Sequence, residues 1–153
     1  MGQKILLVKD GTILRDMLRE YLTDQGYSVT AFETAEEALE AYKVGKYDAI
    51  VTDYNLPGLS GIDFIKEVRK HDQSIGVVVS SLEMKEIIEN QSDGLSIWEI
   101  VTDFSELSLL KKAVEEACEY SNITPEDHQQ ISEALASEIV HWKRMVKTMS
   151  SLL

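Results

Sequence analysis

The sequence predicts a doubly wound α/β fold, with five parallel strands in one sheet and helices on both faces. Three observations predict it. Short apolar runs alternate five times with amphipathic helical stretches. The runs are continuously apolar rather than alternating, the pattern of strands covered on both faces, as in parallel sheets. Polar residues able to meet a ligand (Asp10, Asp53, Ser80 and Thr102) each fall where a strand should end. In such sheets ligands bind beyond the carboxyl ends of the strands.

The elements follow in order. Residues 5–8 read as the first strand, and 12–25 as a helix with Ile13, Leu14, Met17, Leu18, Tyr21 and Leu22 on one apolar face. Gly26 is placed to end that helix. Residues 27–32 form the second strand. "TAEEAL" from Thr34 is a capping-box-like start for a helix over 35–44. Residues 49–52 form the third strand, ending at Asp53, and "NLPGLSG" is a loop broken by Pro57, Gly58 and Gly61. A helix over 62–71, a strand over 76–79 ending in Ser80 and Ser81, a short helix over 84–90, a strand over 97–101 and a helix over 105–120 complete the pattern. A last helix is expected over 124–153. Thr124 suits its N-cap, Pro125 its first position, and Glu126 and Asp127 its positive end. Leu135, Ile139, Trp142, Val146, Met149 and Leu153 recur at spacings of four and three, a heptad-like seam suited to a dimer, to a partner helix or to packing on its own domain.

Composition narrows the function. The 153 residues are 44% hydrophobic, enough for one domain with a real core. No apolar run approaches the ~20 residues that span a bilayer. No basic start leads into a long apolar segment, so no signal peptide is expected. The single Cys118 forms no internal disulfide, and with His71, His128 and His141 scattered no zinc site is expected. Together these point to a cytoplasmic protein. The net charge is −12, of which the first 123 residues carry −11, with 23 acids against 12 bases. A body this acidic lacks the basic footprint of a nucleic-acid binder.

"DAIVTDYNLPGLSG", residues 48–61, is the most specific stretch. It resembles the phosphoacceptor strand and loop of the receiver domains of bacterial two-component response regulators, and the resemblance covers roughly residues 3–120. It implies a flavodoxin- and receiver-like sheet of order 2-1-3-4-5; residues 124–153 fall outside it, as a separate C-terminal helix. It implies Asp53 as the phosphorylated aspartate, a histidine kinase or other signalling protein as partner, and Mg²⁺ as the cation. Asp10 matches the acid that touches the metal, Asn55 the residue whose backbone carbonyl does so, and Ser80 the hydroxyl that meets the phosphoryl group. The chemistry is attack of a carboxylate on phosphorus, with transition-state charge that a hard cation neutralises. At most this is self-catalysed phosphoryl transfer to Asp53. Taken one at a time, each residue also has a plain structural reading: Asp53 as a turn former, Asp10 as a helix-start acid, Ser80 as a loop serine.

Two positions depart from the family pattern. Lys9 stands where the first acid is usual. Thr102, in "IVTDFSEL", stands where a lysine is usual, with Asp103 in place of the following proline. The aromatic residue usual on the fifth strand becomes Glu99 by count, with Trp98 beside it. At about 5 Å and an effective dielectric of about 20, two unit charges interact by roughly 3 kcal/mol at most, and a divalent ion doubles that. Lys9 has three courses: swing its long stem out to water, oppose Mg²⁺, or reach Asp53 and stand in for the metal. The expected function is an atypical receiver, acting as a signalling or interaction module with weakened or absent phosphorylation. A working Mg²⁺-dependent phosphoacceptor switch is the alternative. An unrelated enzyme on the same fold is a third, although no Gly-x-Gly-x-x-Gly, GK[ST] loop or Ser–His–Asp set is visible.

Overall fold

The computed structural model describes residues 2–42, 46–81, 95, 97–101 and 107–121. Its elements are β1 (Lys4–Val8), α1 (Thr12–Asp24), β2 (Ser28–Phe32), α2 (Ala35–Ala41), β3 (Ala49–Asp53), α3 (Gly61–Arg69), β4 (Gly76–Ser80), β5 (Glu99–Val101) and α4 (Leu107–Ser121). The sheet is parallel throughout, in the order β2-β1-β3-β4-β5. The sequence-predicted helix over 84–90 and the C-terminal helix over 124–153 lie outside the described residues.

The two-residue period of a strand divides the core in two. Ile5, Leu7, Val51 and Val78 face one side, where α1 supplies Leu18 and Leu22 and α4 supplies Leu110, Val114 and Ala117. Leu6, Val8, Ile50 and Val79 face the other, against Ala35 and Ala38 of α2 and Ile62, Ile65 and Val68 of α3. Strands β3 and β4 are buried along their whole length, which explains their unbroken apolar sequence. Edge strand β2 is only partly covered.

Local sequence sets the ends. The Thr34 hydroxyl accepts from the Glu37 amide at 3.2 Å and donates to the Glu37 carboxylate at 3.0 Å, a close relative of the expected capping box. Helix α2 stops at Ala41 rather than continuing to residue 44, because Tyr42 turns extended. The Tyr42 ring stacks on Tyr47, and its hydroxyl donates to Asp72 at 2.7 Å. Helix α1 departs further from expectation. At 100° per residue its six apolar residues span half the circumference, more than a helix lying on a sheet covers. Leu18 and Leu22 are buried, but Ile13, Leu14 and Met17 are exposed.

At the amino end of the strands a polar cluster closes the core. Buried Arg69 donates to the Leu95 carbonyl at 2.8 Å and the Asp72 carbonyl at 3.2 Å. The Asp72 carboxylate accepts from Tyr42, from the Ser74 amide and hydroxyl, and from the Ile75 amide. Burial alone would raise the Asp72 pKa, but these hydrogen bonds outweigh it and hold it below the usual value. A depressed carboxylate adds stability that is present above the unfolded value of about 3.9 and lost as pH falls through the lower folded value. Asp72→Asn should therefore cost roughly 1–3 kcal/mol near neutral pH. In urea titrations the variant should also lose less stability than the native chain between about pH 5 and about pH 2. Cys118 is wholly buried, and its pKa is pushed up to about 12, first by burial and then by Asp48, Glu119 and Glu115. It should resist alkylation in the native protein and react once the chain is unfolded.

Candidate functional site

Parallel register brings the site residues to one edge. Val8 is level with Thr52, Asp53 with Ser80, and Ser80 with Val101. One residue past Val8, Lys9 therefore comes level with Asp53. Lys9, Asp53, Ser80 and Val101 form a row across the carboxyl edge of four strands. Thr102 is the next residue after that row; like Asp103 and Phe104 it lies outside the described residues.

The centre of the row is a buried ion pair. The Lys9 ammonium donates to Asp53 Oδ1 at 2.8 Å, and the two residues are 9% and 8% exposed. The Ser80 hydroxyl donates to the same oxygen at 2.6 Å. The Asp10 amide donates to the other oxygen, Oδ2, at 3.3 Å. Of the three courses open to Lys9, the side chain thus takes the inward one, onto the aspartate. Asp10 itself is exposed, and so is Asn55, two residues beyond Asp53.

The frame around Asp53 is tight. The Tyr54 amide donates to the Ser80 carbonyl at 2.8 Å, and the Gly61 amide donates to the Tyr54 carbonyl at 3.0 Å, which folds the loop back over the strand end. A Cβ on Gly61 would lie 1.9 Å from the Asp53 carbonyl oxygen, so only glycine allows α3 to start there. From α2 the Glu36 carboxylate accepts from the Leu59 amide at 3.1 Å and pins the loop from the other side. Sequence reasoning passed over Arg15. Its guanidinium donates to the Lys9 carbonyl at 2.9 Å and braces the backbone that carries Lys9 and Asp10. Nothing in the spacing of Lys9 and Arg15 signals this contact, which depends on how α1 turns back on the strand end.

Just before the fifth strand, Trp98 is 2% exposed and stacks on Tyr120, with ring centroids 5.8 Å apart. The residue that aligned with the usual aromatic position, Glu99, is half-buried, and its own carboxylate accepts from the Ile100 amide at 3.2 Å. The Trp98 ring is thus part of the core under α4.

The profile of the response regulator receiver domain matches residues 5–115 of the chain. The chain belongs to the response regulator receiver family. It is 39% identical over 82 residues to the chemotaxis protein CheY of Thermotoga maritima, a stretch that covers 53% of this chain and 68% of that one. It is 31% identical over 118 residues to CheY-3 of Vibrio cholerae, covering 72% and 88% of the two chains. To the two-component response regulator PhoP of Pseudomonas aeruginosa it is 42% identical over 78 residues, which is 50% of this chain and 34% of that protein. Among solved structures, the response regulator TrrA of Thermotoga maritima, determined with Mg²⁺ and BeF bound, matches 75% of this chain and 98% of its own with a TM-score of 0.68 at 28% identity.

The close approach at Gly61 generates a test. Gly61→Ala should destabilise the receiver by about 1–3 kcal/mol, because either α3 or the Asp53 backbone must move. Urea unfolding would measure that loss, and the Ser80 and Asp53 amide signals should shift with it.

Proposed function

We propose that this receiver is a signalling and protein-interaction module in which Lys9 takes the cation's place beside Asp53, so that phosphorylation of Asp53 is weak or absent. The observation that supports the reading is the 2.8 Å contact of the Lys9 ammonium with Asp53 Oδ1. A divalent cation on Asp53 needs hard oxygens, and like charge beside it is unfavourable. The arrangement with Lys9 turned inward therefore does not fit Mg²⁺. A carboxylate that already accepts from an ammonium and a hydroxyl on Oδ1 and from an amide on Oδ2 is also a poorer nucleophile, since each contact draws on the lone pairs that attack requires.

The same contacts give Lys9 a positive role. In a receiver, positive charge against the acceptor aspartate and a hydroxyl drawn toward it belong together. Here the ammonium and the Ser80 hydroxyl meet on one oxygen of Asp53. The module is thereby held in a single state, read by a soluble signalling partner such as a histidine kinase, in the cytoplasm and away from nucleic acid. No helix among the described residues is long and apolar enough to cross a membrane.

A second reading, a live phosphoacceptor switch, draws support from the convergence of Asp10, Asp53 and Ser80 on one edge. In that case Lys9 leaves Asp53, and Asp10, Asp53 and the Asn55 carbonyl hold the cation. The two readings part in a titration. With the native chain, Mg²⁺ at millimolar concentration followed by beryllofluoride should leave the amide signals of Asp10, Asp53 and Ser80 unmoved. Lys9→Asp should bring saturable Mg²⁺ shifts and a beryllofluoride response at Ser80. Saturable shifts in the native chain, or phosphate incorporation that vanishes in Asp53→Ala, would overturn the first reading in favour of the second.

A further inference from the structure

Helix α1 leaves a broad apolar surface bare. Ile13 is 84% exposed, Leu14 43% and Met17 37%. In the same layer Leu109, near the start of α4, is 51% exposed. Single exposed hydrophobic residues are ordinary. These four, however, lie in one layer, Ile13, Leu14 and Leu109 near the carboxyl edge and Met17 midway along α1. Helices α1 and α4 share the core beneath them. Helix α1 begins just past Asp10 at the carboxyl edge of the sheet. Helix α4 ends at the opposite edge, where the Ser121 hydroxyl accepts from the Gly76 amide and donates to the Asp48 carbonyl, both at 2.6 Å, so its start also stands at the carboxyl edge. Large apolar side chains exposed together in one layer mark an interaction surface.

We infer that residues 124–153 of this same chain turn back at the amino edge and run antiparallel over the α1 and α4 layer, covering Ile13, Leu14, Met17 and Leu109. The starting point supports this. Ser121 is anchored at the amino edge, so a chain that continues along the layer has only the direction of the patch to follow. The length agrees as well. At about 1.5 Å per residue, Met17 lies about 10 Å from the end of α1 and Leu109 about 18 Å from the end of α4. On a helix beginning at Thr124, Ile131 falls at about 10 Å and Leu135 at about 16 Å, level with these targets. Ile131, Leu135 and Ile139 recur every four residues and so share one helix face.

The test uses the full chain with labelled methyl groups and a soluble paramagnetic agent. Relaxation of the Met17 and Leu14 methyls should be severalfold weaker in the native chain than in L135E/I139E. Cross-peaks from Leu135 to Leu14 or Leu109 should arise within one molecule and persist on dilution. Equal relaxation in the two chains, with no such cross-peaks, overturns the inference and leaves the patch to a separate partner. Cross-peaks seen only between differently labelled molecules, or protection lost on dilution, overturn it in favour of a second copy. If L135E/I139E does not fold, the native cross-peaks and their response to dilution decide alone.

Discussion

The ion pair between Lys9 and Asp53 is the interaction on which the carboxyl edge of this receiver depends. Two charges taken from water are costly unless their remaining hydrogen-bonding capacity is met. Here it is met by groups the fold supplies without distortion. The Ser80 hydroxyl comes from the neighbouring strand, level with Asp53. The Asp10 amide comes from the turn that follows Lys9. The pair is buried beside polar partners, and removing any one of them would leave the others short of a contact.

The rest of the molecule holds that edge still. On one side the Gly61 start of α3 presses on the Asp53 backbone, and Glu36 holds the loop between them. On the other, Arg15 braces the carbonyl of Lys9. At the far end of the strands Arg69, Asp72 and Tyr42 tie α3, the turn before β4 and the end of α2 into one polar cluster. Between these two ends β3 and β4 are largely apolar and packed on both faces, so a displacement at one residue of the row is resisted by its neighbours.

The burial of α1 shows where pattern and packing diverge. Six apolar residues at helical spacing read as one face turned to a core. A sheet covers a stripe, and the stripe here is Leu18 and Leu22 with Tyr21 at its border. The remaining apolar width, Ile13, Leu14 and Met17, is a surface feature beside the Lys9 edge.

Strand alternation, the continuously apolar third and fourth strands and the Leu-Pro-Gly loop after Asp53 determined the fold class, the family and the edge at which the polar residues meet. These are local properties, carried by spacing and residue type within a few positions. The capping at Thr34 was readable for the same reason. Where Lys9 points was not readable. A lysine stem reaches water and a neighbouring carboxylate equally well, and the choice falls to residues 44 and more positions away that parallel register brings alongside. The support from Arg15, the need for glycine at position 61 and the early end of α2 at Tyr42 were likewise decided by tertiary structure. Each depends on the distance between atoms from separate elements, and that distance exists only once the sheet has formed.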